Sequence, residues 1–166
     1  MIKVGAKLPE GKLWELPVEW SAGCPTAANE IQMPHDTQGK KIAIFGLPGA
    51  YTRTCSAKHL PGYVSEAAKL KAKGVDEIRC LSVNVAMVMA AWGKDNHAFG
   101  KVRMMGDGRA LYTKALGLDI DLTARGMGVR SQRFSMLVED GVVKKFNPEP
   151  SGQFDISSAE KMLSLV

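Results

Sequence analysis

The sequence predicts an α/β fold in which a central mixed sheet is flanked by helices. Short apolar segments rich in β-branched residues alternate with helical segments through the middle of the chain. The predicted strands are 40–46, 76–84 and 101–107, and the predicted helices are 55–74, 86–96 and 109–117. This strand-helix alternation predicts parallel pairing of the three strands. An antiparallel hairpin over 133–147 and a closing helix over 157–166 complete the expected domain.

The first predicted strand and helix have clear boundaries. The run KKIAIFG ends in Gly-Leu-Pro-Gly, which is typical of a buried strand entering a turn. In the following helix, Val64, Ala67 and Lys71 recur at helical spacing, and Gly74 is suited to the position just past the helix end. Pro61 predicts a kink in this helix because it lacks a backbone N–H.

The last third of the chain carries two further local signals. Alternating apolar residues on both sides of Glu139–Gly141 indicate the hairpin. Ser157 and Glu160 form a capping-box pattern at the start of the closing helix. The whole order is that of a thioredoxin-like fold with a loop-rich N-terminal extension and an inserted strand-helix unit, and we expect residues 1–166 to form one domain.

Composition narrows the classes of protein. Of the 166 residues, 45% are hydrophobic and 23% are charged, which is typical of a globular protein. No apolar run reaches the roughly 20 residues of a membrane span, and the N-terminus lacks the pattern of a secretory signal, so we expect a soluble, cytoplasmic protein. The net charge is +5, but the basic residues are dispersed, which argues against nucleic-acid binding and leaves a weak attraction to small anions.

The three cysteines differ in their surroundings. Cys24, Cys55 and Cys80 form neither a Cys-x-x-Cys pair nor a zinc-ribbon spacing. Cys55 falls in the first turn of a predicted helix, where the positive end of the helix dipole favours the nucleophilic thiolate. Cys80 lies within an apolar strand, where a buried structural role is expected, and Cys24 lies in a loop-like segment without a motif.

The residues before Cys55 suit a reactive thiol. Thr52 and Thr54 are both candidate N-caps, and a hydroxyl three residues before the cysteine can also bond its sulfur or an oxygen-containing substrate. Pro48 fixes the turn and removes one backbone donor. Both the capping interpretation and the catalytic one stay open for Thr52.

The pattern Pro-x-x-x-Thr-x-x-Cys, formed by Pro48, Thr52 and Cys55, resembles the active-site motif of peroxiredoxins. The longer segment PGAYTRTCSAKHLPGY resembles the corresponding segment of the type II, or peroxiredoxin-5-like, group of the redoxins. The resemblance continues to the end of the chain. It implies that Cys55 is the peroxidatic thiolate, Thr52 its hydrogen-bonding partner and Pro48 the shield of the pocket. Arg133 matches the family's distant active-site arginine, and Arg130 is its competitor.

The resemblance implies a thiol-dependent peroxidase that reduces hydrogen peroxide and organic hydroperoxides, without a metal or other cofactor. Cys55 would become a sulfenic acid that a thiol must reduce. No cysteine follows Cys80, so the late resolving cysteine of some type II members is excluded. We therefore expect an external reductant, glutathione with or without glutaredoxin first and thioredoxin second, with Cys80 as the alternative resolving thiol. A homodimer is also implied.

Other interpretations remain open beside this one. His59 lies four residues after Cys55, so a Cys-His hydrolase or part of a zinc site is conceivable, although a structural or pocket-wall role is favoured. Lys58 stands where a thioredoxin-type oxidoreductase needs its second cysteine. A peroxide sensor or chaperone-like protein could use the same cysteine. Val85 and Gly106 depart from the residues common in the family, and we expect Val85 to cost a helix cap without loss of chemistry.

Overall fold

The computed structural model describes residues 1–16 and 27–166. Its main sheet has seven strands in the order β2-β1-β5-β4-β3-β8-β9, and β6 and β7 form a small separate sheet. The strands are β1 (Gly11–Glu15), β2 (Asn29–Met33), β3 (Lys41–Gly46), β4 (Glu77–Ser82), β5 (Arg103–Gly106), β6 (Asp119–Asp121), β7 (Val129–Ser131), β8 (Phe134–Glu139) and β9 (Val142–Pro148). The helices are α1 (Leu60–Ala72), α2 (Ala86–Asp95), α3 (Leu111–Ala115) and α4 (Ala159–Leu163).

The pairing of the strands confirms the predicted mixed sheet. β3, β4 and β5 are parallel neighbours, while β8 runs antiparallel to β3 and β9 antiparallel to β8. The turn between β8 and β9 contains Asp140 and Gly141, both with positive φ, at 47° and 74°. Two adjacent residues with positive φ match the twist of a tight hairpin. This is why the short segment Glu139–Gly141 was enough to predict the hairpin.

Side chains of β3 alternate between two hydrophobic layers. Ile42 and Ile44 face a cluster that includes Phe134 of β8, whereas Phe45 faces the opposite cluster, which includes Tyr63 of α1. The rings of Phe45 and Tyr63 stack with their centroids 4.0 Å apart. Burial of such large rings on both faces fixes the register of β3, the strand that precedes the loop 47–54.

The end of α1 follows the prediction for Gly74, which has a φ of 87°. Its N–H donates to the Lys71 carbonyl, and the N–H of Val75 donates to the Leu70 carbonyl, which together form a Schellman motif. The start differs from the prediction. A π-helical turn, Cys55–His59, precedes α1, and Pro61 lies in the first turn of α1, where its missing N–H costs least.

Two details differ from the prediction. The loop-rich N-terminal extension also contains two strands that the sequence did not predict, because β1 and β2 form an antiparallel pair at the edge of the main sheet. Their signal is weak because the pair exposes most of its polar residues and only Leu13 and Met33 are buried. The closing helix is shorter than 157–166, and its N-cap is Ser158, whose hydroxyl accepts from the Lys161 N–H.

The two departures from the family pattern lie side by side. Val85 is the N-cap residue of α2 and makes no side-chain cap hydrogen bond, as expected. Gly106 lies against the same segment, because a Cβ at this position would come within 2.7 Å of the Asn84 carbonyl oxygen and 2.8 Å of the Ala86 nitrogen. Only glycine allows β5 to approach the start of α2 this closely.

Candidate active site

The loop 47–54, called the reactive loop below, begins where β3 ends. It lies at the edge of the sheet where the parallel strands have their carboxyl ends. Asn84, just beyond the end of β4, anchors this loop. Its Oδ1 accepts the Ala50 N–H at 3.0 Å and the Ser82 hydroxyl at 2.8 Å. Tyr51 adopts a left-handed conformation with φ of 59°, which is uncommon for a bulky residue, and its hydroxyl donates to Asp95 of α2 at 2.7 Å. The loop is therefore attached to both β4 and α2.

Thr52 stabilises this turn rather than capping a helix with its side chain. Its hydroxyl donates to the Gly49 carbonyl at 2.8 Å, and its carbonyl accepts the Ser56 N–H at 2.9 Å. Thr54, the other candidate, also makes no side-chain cap bond. Because the Thr52 proton is already used, its oxygen is left to accept a hydrogen bond from a substrate hydroxyl.

Cys55 is the first residue of the π-helical turn and is only 1% exposed. Its Sγ receives a hydrogen bond from Nη2 of Arg133 at 3.4 Å, although 78 residues separate the two. Arg130 instead donates to the carbonyls of Met127 and Val83, at 2.6 and 2.9 Å. Of the two candidate arginines, Arg133 is the one that contacts the cysteine in the structure.

A cavity of about 430 Å³ opens beside Arg133, whereas Cys55 and Thr52 are not among the residues that line it. Pro48, Thr54 and Arg133 belong to its lining. Ile120 and Met127 contribute apolar side chains to the same lining. A small polar molecule can reach the Arg133 guanidinium through this cavity, and an alkyl group can lie against its apolar wall.

The comparisons with known proteins identify the family of this chain. The Redoxin family pattern matches residues 3–163. Peroxiredoxin-2C of Oryza sativa subsp. japonica is 43% identical over 98% of this chain and 96% of its own length. The reduced Prx3 of Vibrio vulnificus, solved with hydrogen peroxide, superposes with a TM-score of 0.90 at 41% identity, covering 99% of each chain. This chain belongs to the redoxin family. It is a peroxiredoxin of the type II group, a thiol-dependent peroxidase with a thioredoxin-like fold.

Three further matches differ in their names and cellular locations. A Burkholderia cenocepacia structure, described provisionally as a thioredoxin reductase, superposes with a TM-score of 0.95 at 51% identity over 100% of this chain and 98% of that one. That description concerns the Burkholderia protein, and the present chain has no Cys-x-x-Cys pair. Relatives from Arabidopsis thaliana are named chloroplastic and mitochondrial peroxiredoxins, so membership does not fix a compartment. In the described ranges, no helix is long and apolar enough to cross a membrane.

His59 does not face the sulfur of this peroxiredoxin as a base would. Its Nδ1 lies 3.0 Å from Nη1 of Arg133, and its Nε2 lies 3.1 Å from the Ser157 carbonyl oxygen. Burial, and then the neighbouring Arg133 charge, lowers the pKa of His59 from 6.5 to about 3. The imidazole is therefore neutral near pH 7. Outside the undescribed segment 17–26, no group of three potential ligands forms a metal site.

Cys80 and Cys55 are both unpaired thiols within the same hydrophobic cluster. Cys80 is fully buried in β4, opposite Phe45 of β3. Burial raises the pKa of the Cys80 thiol, and the neighbouring Cys55 adds to the effect. A protonated, inaccessible thiol is a poor nucleophile. Cys24 lies outside the described residues.

Several residues around the site were not predicted to take part in it. Asn84 anchors the loop 47–54. Ser157, which the sequence indicated only as a helix cap, donates to Glu149, whose own N–H donates to the Arg133 carbonyl. Phe154 places its ring 5.0 Å from that of His59. These contacts join segments up to 98 residues apart, so no local spacing could have indicated them.

Proposed function

We propose that this peroxiredoxin uses Cys55 as the peroxidatic nucleophile, with Arg133, Thr52 and Pro48 forming the pocket around it. The observation that carries the proposal is the 3.4 Å contact between Arg133 Nη2 and Cys55 Sγ beside an open cavity. A guanidinium stays charged at all working pH values and can meet the negative charge that develops on a departing oxygen.

The reaction balances with these groups. The Cys55 thiolate attacks one oxygen of the hydroperoxide, the O–O bond breaks, and the other oxygen leaves as an alkoxide or hydroxide that takes up a proton. Sulfur loses two electrons and the peroxide gains them, which leaves a sulfenic acid on Cys55. Thr52 accepts the hydrogen bond of the peroxide hydroxyl, and Arg133 donates to the oxygen atoms. Pro48 covers the pocket wall without adding a competing donor.

We further propose that an external thiol, glutathione first and thioredoxin second, reduces the sulfenic acid. The first thiol forms a mixed disulfide with Cys55 and releases water, and a second thiol, or glutaredoxin, displaces Cys55 as a free thiol. The complete burial of Cys80 supports reduction by an external thiol, because an internal disulfide would require the protonated, enclosed sulfur of Cys80 to attack Cys55.

Mass spectrometry after one equivalent of hydrogen peroxide, in the presence of glutathione, tests the proposal. We expect a glutathione adduct on Cys55, whereas a Cys55–Cys80 disulfide would make Cys80 the resolving thiol. Continued peroxide consumption with excess thiol identifies an enzyme that turns over. A protein that oxidises stoichiometrically and then stops would instead be a sensor or a chaperone-like protein.

A homodimer is also proposed, through the face that carries the reactive loop. Tyr51 of that loop and residues at the start of α2 expose apolar surface, with Tyr51 55%, Val85 53%, and Met87 and Val88 each 36% exposed. Val88 and Asp95, which binds Tyr51, are seven residues apart on α2 and so share one helix face. Sedimentation analysis should show a dimer that Val88→Asp weakens, and a dimer unchanged by Val88→Asp would exclude this face.

We propose, in addition, that residues 1–166 act as one domain and that the protein is located in the cytoplasm. The main sheet supports the first point, because it joins β1 and β2 to β8 and β9 in one seven-stranded sheet. The need for a reduced, free Cys55 supports the second, because the cytoplasm keeps thiols reduced. Fluorescence microscopy of a tagged chain in its own cell tests the location.

A further inference from the structure

His59 is a buried polar side chain in an aromatic enclosure. It is 0% exposed, and its ring centroid lies 4.9 Å from that of Phe45, 5.7 Å from that of Tyr63 and 5.0 Å from that of Phe154. A phenylalanine would fill the same space without a polar group to satisfy. Both imidazole nitrogens of His59 are nevertheless hydrogen bonded, which indicates a role that depends on them.

The two partners fix the protonation of the ring. The Ser157 carbonyl can only accept, so Nε2 of His59 must carry the hydrogen. The Arg133 guanidinium can only donate, so Nδ1 must be a free lone pair. His59 is therefore the neutral tautomer with its proton on Nε2. The lowered pKa of His59, about 3, keeps the ring uncharged throughout the neutral range.

The Ser157 carbonyl is itself held in position. The Tyr63 hydroxyl donates to it at 3.0 Å. The N–H and hydroxyl of Ser157 donate to Oε1 of Glu149 at 2.8 and 2.9 Å. The N–H of Glu149 in turn donates to the Arg133 carbonyl at 2.9 Å. These contacts form a closed ring. It begins at the Arg133 guanidinium, passes through His59, Ser157 and Glu149, and ends at the Arg133 carbonyl.

This ring gives Arg133 a neutral acceptor. Within residues 1–16 and 27–166, no carboxylate lies within salt-bridge distance of its guanidinium. A carboxylate would orient Arg133 but would also cancel much of its charge. An imidazole lone pair orients one nitrogen, Nη1, and leaves the positive charge for Cys55 and for the oxygen that leaves during the reaction.

We propose that His59 is a positioning residue, a neutral acceptor that holds Arg133 Nη1 so that Nη2 points at Cys55 without loss of charge. The proposal rests on the functions proposed above for Cys55 and Arg133. An unanchored arginine would sample several rotamers at the cavity, and ordering it anew in each reaction costs conformational entropy. His59 removes that cost before the peroxide arrives.

Two rate constants distinguish positioning from a structural role. Reaction with hydrogen peroxide needs a donor at the departing oxygen, whereas alkylation by iodoacetamide expels iodide and does not. We expect His59→Phe, which keeps the ring shape, to slow the peroxide reaction about 10-fold or more relative to alkylation. His59→Asn places an amide oxygen near the position of Nδ1 and should recover most of this ratio.

Tyr63→Phe is the matched control, because it removes the other hydrogen bond to the Ser157 carbonyl without touching Arg133. Its ratio of the two rate constants should stay within about twofold of wild type. An equal fall of the ratio in Tyr63→Phe and His59→Phe would overturn the proposal. So would equal ratios in the Asn and Phe variants of His59.

A measurement on the unmodified protein keeps the proposal testable if His59→Phe does not fold. Nitrogen-15 NMR of the imidazole reports its tautomer directly, and we expect a neutral ring with its proton on Nε2. A proton on Nδ1, or a charged ring at pH 7, would exclude the contact with Arg133. A wild-type chain that does not react with peroxide would refute the proposed function, while the NMR result would still decide the His59–Arg133 contact.

Discussion

Replacing Arg133 by lysine tests the centre of the proposed mechanism. The guanidinium uses two nitrogens for two partners, Nη1 at 3.0 Å from His59 and Nη2 at 3.4 Å from Cys55. Lysine keeps the charge but offers one nitrogen in place of this planar fork, so it cannot be anchored by His59 and aimed at the sulfur in the same geometry. Loss of one hydrogen bond to a charged group costs about 1.5–3 kcal/mol.

That free energy corresponds to a fall of about 10- to 100-fold in the rate constant of Cys55 oxidation. Rapid mixing with one equivalent of peroxide, quenching by alkylation, and mass spectrometry of the remaining Cys55 thiol measure it. Arg130→Lys is the control, because Arg130 donates to backbone carbonyls and should leave the rate within about threefold. An unchanged rate in Arg133→Lys, or an equal loss in Arg130→Lys, would refute the reasoning.

The remaining predictions concern the thiols and two titrating side chains. Cys55→Ser should abolish peroxidase turnover, whereas Cys80→Ser should keep glutathione-supported turnover in a coupled assay, and equal loss in both would assign resolution to Cys80. The pKa of His59 is about 3 in the folded protein and 6.5 ordinarily, so between these pH values the unfolded chain binds a proton that the folded chain does not. As the pH falls from 6.5 toward 3, the free energy of unfolding should therefore decrease by up to about 1.4 kcal/mol per pH unit. His59→Phe should flatten this slope in denaturant titrations, and a slope that persists would contradict the assignment. Burial alone would raise the pKa of Glu77, but hydrogen bonds from Lys40, Arg103 and Arg79, together with the Arg79 charge, lower it from 4.5 to about 2. Its contribution to stability, about 1 kcal/mol per pH unit, should be complete above pH 4.5, be lost as the pH falls toward 2, and be absent from Glu77→Gln.

Local sequence signals predicted those elements whose determinants are themselves local. Gly74 ends α1 because a left-handed residue is needed there, and Asp140 with Gly141 closes the hairpin for the same reason. β1 and β2 were not predicted, because they have no periodic apolar face. They are held instead by pairing to each other and by the pairing of β1 with β5, where Trp14 lies opposite Gly106. Edge strands with few buried residues carry little of the alternation on which strand prediction depends.

The site divides in a similar way. Pro48, Thr52 and Cys55 lie in one contiguous motif, so their proximity followed from the sequence. Arg130 and Arg133 are three residues apart and could not be distinguished by spacing. Their contacts differ because Arg130 belongs to β7, where it pairs with Ile120, while Arg133 directly precedes β8, the neighbour of β3. Phe134, the residue after Arg133, pairs with Gly46 at the end of β3, the strand that leads to Cys55. Only this pairing, which the sequence does not show, places Arg133 beside the cysteine.

The burial of Cys55 places opposite demands on the two halves of the proposed catalytic cycle. Peroxide is small enough to enter the cavity beside Arg133, whereas Cys55 itself is only 1% exposed. A thiol reductant must bring its own sulfur into line with Cys55, and a tripeptide or a protein is too large to do so in this geometry. Reduction therefore requires the segment from the reactive loop to His59 to move away. The bonds that oppose this movement include those from Tyr51 to Asp95, from Trp92 to Ser56, and from His59 to Ser157 and Arg133. The contact proposed to orient Arg133 for oxidation is among these bonds, so we expect a stronger His59–Arg133 contact to speed the first half-reaction and slow the second.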